Sequence, residues 1–177
     1  MIKKFILSLF LVFGIALVSF GQANTVQVPH WQTSKISVYI PKEDKSALMM
    51  KRAFLKWQSA SFGKLSFVFK NEGPANIDVV FVEKVDATDT PLGSYKTTVK
   101  NGYITKAEIK IANKNTKASN NMIYTTMLHE IGHALGLSDM DRKESTIMFM
   151  PLSEAQDITK LDQKRLFRIY DWNWLNK

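Results

Sequence analysis

The sequence predicts a single α+β domain, from its length, four strand-like segments and three helical segments. A chain of 177 residues has the size of one domain and can bury a substantial core. No internal repeat or low-complexity linker divides it. The strand-like segments are 35–40, 65–69, 77–82 and 103–112. Because strands and helices share one undivided chain of this length, the predicted fold class is α+β.

The first predicted helix follows the strand over 35–40, which ends at Pro41. Asp44 is placed to cap this helix, because its side chain can accept a hydrogen bond from the first turn. Apolar residues then recur at helical spacing, and this stripe indicates core packing rather than a cofactor site. The stripe consists of Ala47, Leu48, Ala53, Phe54 and Trp57.

Two more helices are predicted in the second half of the chain. A polar loop over 113–121 precedes the first of them, and Asn120 or Asn121 is expected to cap it. The last helix begins near Thr159, which forms an acidic variant of the capping box with Asp162. The apolar face of this last helix consists of Leu161, Leu166, Ile169 and Tyr170.

The segment from His129 to Asp139 contains the candidate metal-binding and catalytic residues. On a helix, His129 and His133 project from one face, one turn apart, so both imidazoles can reach a single Zn²⁺. Glu130 is rotated by about 100° from His129, which aims its carboxylate beside the metal. Gly136 can end the helix in the left-handed conformation, and Asp139 is then the next residue able to offer an oxygen. The pattern predicts a catalytic zinc centre with one open position.

Two alternatives to this interpretation are open at the level of sequence. A pair of histidines four residues apart can also occur on an ordinary core helix. The coincidence of Gly136, Asp139 and the following Met148 argues against that reading. Asp141 is a second candidate for the third ligand, disfavoured because the spacing of the motif points to Asp139.

These residues resemble the metzincin zinc endopeptidases, whose signature is HExxHxxGxxH followed by a methionine turn. The chain looks most like the matrixin branch, whose turn reads roughly A-L-M-Y-P; residues 146–151 read T-I-M-F-M-P, with one extra residue before the proline. Asp139 in place of the third histidine is similar to the snapalysin-like members. Met150 stands where astacin-like members have a tyrosine, so no tyrosine ligand is expected there. The resemblance implies a metzincin-like zincin domain with a mixed, twisted sheet, an active-site helix and a C-terminal helix.

The resemblance also implies a function and a cleft. It implies a zinc endopeptidase in which Glu130 is the general base and Met148 forms an apolar floor under the metal. An antiparallel edge strand within residues 91–100 is expected to bind extended peptide, although a simple loop is an equal alternative. The residues expected to line the cleft are Gly93, Ser94 and Tyr95 on that strand, and Phe149, Met150, Pro151 and Leu152 after the methionine turn.

Two other functional classes remain open. The domain can be a catalytically silent zinc-binding surface or interaction module, but retention of Glu130 argues against this, since ligation alone does not need that carboxylate. It can also be a zinc hydrolase of a non-peptide substrate, which a closed small pocket would favour. An open cleft with an edge strand would favour peptides.

The counts of histidine and cysteine limit the metal chemistry. The chain has no cysteine, which excludes disulfides, thiolate zinc sites and a cysteine-based latency switch. It has three histidines, so the second, structural zinc site of many matrixins cannot be assembled. One catalytic zinc is therefore expected, while a calcium site is possible but supported by no motif. His30 is predicted to be a surface residue of an irregular arm over 24–34.

The N-terminal segment is predicted to be a secretory signal peptide. Residues 1–4 are a basic head, and residues 5–20 form a hydrophobic run slightly shorter than a bilayer span. Cleavage is expected after Gly21, with Ala23 as the second choice, and an uncleaved membrane anchor is the alternative. The expected domains are thus a signal peptide over 1–21 and a catalytic domain over 22–177. A secreted chain without disulfides suits a bacterial envelope or extracellular space.

The net charge of the chain and its distribution bear on the expected partners. The formal net charge is +8, and loss of Lys3 and Lys4 with the signal peptide leaves a basic mature domain. The basic residues are spread along the chain without interleaved aromatics, so nucleic acid is not expected as a partner. The expected partner is a protein or peptide substrate, the expected state is a monomer, and no membrane span is expected after cleavage.

Overall fold

The structure, a computed structural model, describes residues 27–86, 91–114, 116–141 and 145–173. The predicted signal peptide lies outside these described residues. One six-stranded sheet and three helices make up the described fold. The strands are β1 (His30–Trp31), β2 (Lys35–Tyr39), β3 (Ser66–Lys70), β4 (Ile77–Val82), β5 (Gly93–Lys100) and β6 (Tyr103–Ala112). The helices are α1 (Ala47–Ala60), α2 (Asn120–Ala134) and α3 (Lys160–Ile169).

The sheet is mixed, as predicted. Its strand order is β1-β6-β4-β2-β3, and all of these neighbours are parallel. β5 pairs with β6 in the antiparallel sense, with Gly93 opposite Ile111 and Lys100 opposite Tyr103. Among the described strands β5 has β6 as its only partner, so it forms an edge of the sheet.

The strand predictions are confirmed, with shifts of one residue at two places. β4 and β6 have the predicted limits, while β2 ends at Tyr39 and β3 runs over Ser66–Lys70. The prediction of an irregular arm over 24–34 is wrong in part, because His30–Trp31 pairs with β6. Trp31 is buried, and its indole Nε1 donates to the carbonyl of Ala134 at 2.8 Å. This long-range anchor leaves no periodic signal in the local sequence.

The first helix begins later than predicted, at Ala47. Ser46 is its N-cap, and Asp44 instead accepts a hydrogen bond from the backbone N–H of Ser46 at 2.8 Å. The prediction that Leu48 belongs to the core stripe is wrong, since Leu48 is 65% exposed. Met50 is buried in its place. The buried positions recur every three or four residues from Met50, and Leu48 lies about 200° around the helix from that face.

The predicted N-cap of α2 is wrong, and the predicted capping box of α3 is confirmed. Ser119, rather than Asn120 or Asn121, caps α2, because its hydroxyl accepts a hydrogen bond from the N–H of Met122 at 3.1 Å. The capping box at the start of α3 is present as predicted, with Thr159 and Asp162. The apolar face of α3 packs inward, and Leu166 is fully buried.

The second helix is the centre of the core. From Thr125 to Ala134 every one of its residues is buried, which is the pattern of a helix covered on all sides. It packs against α1, β5 and β6, and Trp57 of α1 donates from Nε1 to the carbonyl of Leu128 at 2.8 Å. The histidines and Glu130 therefore lie on a buried helix.

Among the described residues, no helix has the length and apolar character of a membrane span.

Candidate metal centre and cleft

Three side chains converge at the C-terminal half of α2. The Nε2 atoms of His129 and His133 are 3.0 Å apart, and Oδ1 of Asp139 lies 3.3 Å from the first and 3.2 Å from the second. Tetrahedral zinc with bonds of about 2.0–2.1 Å places neighbouring ligand atoms roughly 3.3 Å apart. The three atoms therefore fit the ligand positions around one zinc ion. Among the described residues this is the single group of its kind, and Asp141 is not in it.

Backbone carbonyls orient both imidazoles. His129 Nδ1 is 2.8 Å from the carbonyl oxygen of Ile147, and His133 Nδ1 is 2.8 Å from that of Leu137. A carbonyl only accepts, so each neutral ring carries its proton on Nδ1. The facing Nε2 atoms then present lone pairs to each other, an arrangement that a cation stabilises. Burial, with a contribution from His129, lowers the pKa of His133 and so favours the neutral form that metal binding requires.

Gly136 ends the helix, as predicted, with φ at +101°. A side chain here would also collide with the carbonyl oxygen of Pro29. The chain then returns, with the N–H of Leu137 bonded to the carbonyl of Gly132 at 3.0 Å. This reversal brings Asp139, which is 59% exposed, back over the histidines.

Sequence reasoning missed Arg165, which holds the returning loop. From α3, its Nη2 donates to the carbonyl of Ser138 at 2.7 Å and lies 3.2 Å from the Ser138 hydroxyl. Ser138 directly precedes Asp139, so this contact fixes the approach of the carboxylate. A contact between residues so far apart in the chain has no local sequence signal.

Met148 is buried against α2. Its sulfur lies 2.5 Å from the position that a Cβ on Gly132 would take, so any larger residue there would force the Met148 side chain to move. The carbonyl of Met148 accepts from the N–H of Met140 at 2.8 Å, which ties the methionine turn to the ligand loop. The glycine inside the HExxH motif was not singled out in the sequence, although its position was visible there.

The carboxylate of Asp162 anchors the methionine turn from below. It is fully buried, accepts from the Thr146 hydroxyl, and accepts from the N–H of Ile147 at 3.1 Å. It also accepts from the N–H of Thr159 at 2.8 Å. The sequence assigned Asp162 to the capping box alone, because its long-range partners cannot be read from spacing.

Glu130 is buried beside the cluster, with 6% of its surface exposed. Its Oε2 has no hydrogen-bond partner among the described residues, which is uncommon for a buried carboxylate oxygen. Burial raises the pKa of Glu130 to about 8, and the charge of Asp139 adds to the effect. A buried carboxylate oxygen without a protein partner is suited to a ligand or a reacting water.

The edge strand β5 crosses this part of α2, so the strand prediction for 91–100 is confirmed and the loop alternative is wrong. A Cβ on Gly93 would lie 2.6 Å from Cγ and Oε1 of Glu130. The Tyr95 ring stacks on His133, with centroids 4.1 Å apart and planes 14° apart. Burial, Asp139 and Glu130 raise the pKa of Tyr95. Ser94 lies between the two on the opposite face of the strand.

The segment after Met148 bears apolar side chains at the surface. Phe149 and Leu152 are half-buried, Pro151 is exposed and Met150 is 49% exposed. Gln156 donates from Nε2 to the carbonyl of Phe149 at 2.8 Å and so supports the segment. Their predicted role as a pocket wall stays a prediction.

Taken together, a histidine-bearing helix, a glycine-ended return to a third candidate ligand and a methionine turn packed against them are the features of a zinc metalloprotease domain of the metzincin class. A family model described as Matrixin matches residues 29–171. The chain belongs to the matrixin family of zinc metalloendopeptidases, whose substrates are peptides or proteins. A search of the curated proteins found no match. The similarity of Asp139 to the snapalysin-like third ligand stays a prediction.

Proposed function

We propose that this chain is a secreted zinc endopeptidase in which His129, His133 and Asp139 hold the catalytic zinc and Glu130 is the general base. One observation carries the proposal: three candidate ligand atoms within 3.0–3.3 Å of one another lie beside a buried carboxylate oxygen that has no hydrogen-bond partner in the described part of the chain. Ligand geometry alone needs no such carboxylate. Hydrolysis does, because water must lose a proton as it attacks.

When bound, zinc supplies Lewis acidity, which activates a water molecule and polarises the scissile carbonyl. Glu130 takes the proton of the attacking water and later delivers it to the leaving amine. Its surroundings suit both proton transfers, since burial in α2 holds the side chain in place and no donor from the described residues competes for Oε2. Met148 takes no part in proton transfer and supports the helix from below.

An extended peptide is the substrate form that the cleft favours. The outer edge of β5 has no partner among the described strands, so its backbone groups can pair with an added strand. Gly93 and Tyr95 line this side of the cleft, and Ser94 between them contributes its backbone. Phe149, Met150, Pro151 and Leu152 form the wall that faces the residue after the scissile bond, and we expect that pocket to accept apolar side chains.

The proposal places the enzyme outside the cytoplasm. Residues 1–21 have the basic head and hydrophobic run of a signal peptide, and residues 22–177 then form the mature domain. Absence of cysteine and a basic net charge are compatible with a bacterial envelope or an extracellular space. Mass spectrometry of the protein recovered from its native compartment identifies the first residue of the mature chain.

The decisive experiment compares wild type with Glu130→Ala in the zinc-loaded mature chain. Both are incubated with an unbiased peptide mixture, and cleavage sites are identified by mass spectrometry. We expect cuts with wild type only, while Glu130→Ala keeps its zinc. Glu72→Ala, a change at an exposed turn, is the matched control and should cut like wild type.

Two outcomes contradict the proposal. Cleavage by Glu130→Ala at the wild-type rate would refute the base assignment. A folded, zinc-replete wild type that cuts no peptide would favour the silent binding module or a hydrolase of another substrate class.

A further inference from the structure

The hydroxyl of Tyr95 shares the cleft with the metal ligands and the base. The ring lies flat on His133, with 4.1 Å between centroids. Because the ring stacks on a proposed zinc ligand, its hydroxyl lies beside the ligand cluster, on the same face of β5 as the contact between Gly93 and Glu130. Tyr95 is 44% exposed, which leaves the outer side of the ring open to a bound peptide.

The backbone sets this position. Tyr95 pairs with Ile109 in the antiparallel register of β5 and β6. Gly93, two residues earlier, lies against Glu130. Side chains alternate along a strand, so positions 93 and 95 face α2 together. The edge strand therefore places Gly93, which has no side chain, against Glu130. It places the phenol of Tyr95 against His133, the proposed ligand one turn further along α2.

We propose that Tyr95 is a catalytic residue whose hydroxyl donates a hydrogen bond to the oxyanion formed from the scissile carbonyl. The proposal rests on the peptidase function above. Water forms a C–O bond to the carbonyl carbon while its proton moves to Glu130 and the C=O electron pair moves to oxygen. The oxyanion then re-forms the double bond, the C–N bond breaks, and the nitrogen takes the proton from Glu130. Tyr95 keeps its own proton throughout and stabilises the charge between these two steps.

Other residues of the cleft are less suited to this task. Asp139 repels a developing negative charge when ionised, and Glu130 at this stage holds the proton that it delivers to the leaving nitrogen. Ser94 carries a hydroxyl, but it projects from the opposite face of the strand. Met148 and Met150 have no O–H or N–H in their side chains. A neutral phenol is both a hydrogen-bond donor and free of that repulsion.

The test separates the hydroxyl from the ring. Tyr95→Phe removes the hydroxyl and keeps a ring that can stack on His133, whereas Tyr95→Leu removes both. Tyr39→Phe is the matched control, a hydroxyl deletion on β2, away from the cleft. For each protein we would measure kcat and KM on one cleaved peptide, the affinity for a peptide phosphonate that mimics the tetrahedral oxyanion, and zinc affinity by chelator competition.

Tyr95→Phe should lower kcat about a hundredfold, the low end of the effect of removing one oxyanion donor, with KM changed less than about twofold. Phosphonate affinity should fall by a similar factor, and zinc affinity should not change. Unchanged kcat and phosphonate affinity in Tyr95→Phe, with losses in Tyr95→Leu, would reduce Tyr95 to an apolar wall and overturn the inference. A wild type that cuts no peptide contradicts the proposed function instead, and the phosphonate affinities of wild type and Tyr95→Phe still decide the role of the hydroxyl.

Discussion

The buried carboxylate of Asp162 accepts a hydrogen bond from the backbone N–H of Ile147 at 3.1 Å. The carbonyl of the same residue, Ile147, holds the Nδ1 of His129 at 2.8 Å. The start of α3 is thus connected to a proposed zinc ligand through one residue of the methionine turn. A partner of this kind sets the orientation and basicity of a ligating histidine.

Asp162→Asn should weaken both folding and zinc binding. An amide has a single oxygen, so it cannot accept both from the Thr146 hydroxyl on one side and from the N–H groups of Ile147 and Thr159 on the other. We expect a loss of about 2–4 kcal/mol in the free energy of unfolding and about a tenfold to hundredfold loss in zinc affinity. Denaturant unfolding and chelator competition measure the two. Asp157→Asn, the same change at a half-exposed surface carboxylate, should alter neither; equal zinc affinity in wild type and Asp162→Asn would contradict the connection.

Gly93→Ala tests the close approach of β5 to the base. The new methyl group would stand 2.6 Å from Glu130 and from Cγ2 of Thr126, so the strand or the side chain must move. We expect activity to fall at least tenfold and the free energy of unfolding to fall by about 1–3 kcal/mol. Val99→Ala, an exposed change on the same strand, should leave both near the wild-type values. Full activity in Gly93→Ala would show that the cleft adapts and that a glycine is not required.

Much of the fold could be predicted because its strands carry local patterns. β4 and β6 have alternating buried positions, and that alternation is visible in the sequence. Leu48 was wrongly placed in the core on its apolar character alone, because its position two residues before the buried Met50 puts it about 200° around the helix from the buried face. β1 was missed because its two residues owe their strand to pairing with β6 and to the burial of Trp31.

The proposed metal ligands could be predicted for a different reason. A four-residue spacing on a helix and a chain reversal at a glycine are both short-range geometry. The proximity of His129, His133 and Asp139 could therefore be predicted from the sequence. The groups that orient them could not, because each belongs to a distant part of the chain. The carbonyl of Ile147 belongs to the methionine turn and the guanidinium of Arg165 to α3, so neither contact can be read from residues 129–139.

Metal removal should distinguish the histidines of the cluster from His30, the remaining histidine of the chain. Zinc binds the folded state, so free zinc at a hundred times its Kd should stabilise wild type by about 2.7 kcal/mol. His133→Ala should lose this response. His30→Ala is the matched control, because His30 packs between Tyr103 and Tyr170 outside the cluster. Thermal unfolding with zinc and with a chelator measures the difference; a zinc response in His133→Ala equal to that of wild type would exclude this residue as a ligand.

Asp139→His should keep zinc bound, because imidazole at this position restores three neutral nitrogen ligands, a set that zinc accepts in other hydrolases. Loss of the carboxylate charge should make the zinc a stronger Lewis acid. We expect the acid limb of the pH–activity profile to move to lower pH, which initial rates between pH 5 and 9 would show. The matched variant Asp141→His, at an exposed position outside the cluster, should behave as wild type. Complete loss of zinc from Asp139→His, with zinc retained by Asp141→His, would contradict the ligand assignment.

Tyr170 should make the fold sensitive to alkaline pH. Its hydroxyl donates to the carbonyl of Leu135 at 3.1 Å, and burial raises its pKa well above the ordinary value of a phenol. The folded chain therefore keeps this proton at a pH where the unfolded chain releases it. The resulting stabilisation is fully present below the unfolded pKa of about 10 and is lost as pH rises above it, by roughly 1.4 kcal/mol per pH unit.

Tyr170→Phe removes that titration and isolates it from the other alkaline groups. The variant should be about 1 kcal/mol less stable than wild type at pH 7, because the hydrogen bond to Leu135 is lost. Between pH 10 and 11 its stability should fall less steeply, so the two curves converge. Urea unfolding at several pH values measures both slopes, and Tyr39→Phe is the control for loss of an ordinary tyrosine. Parallel curves for wild type and Tyr170→Phe would mean that Tyr170 releases its proton equally in both states, and the burial of its hydroxyl would then have no part in the alkaline limit of the fold.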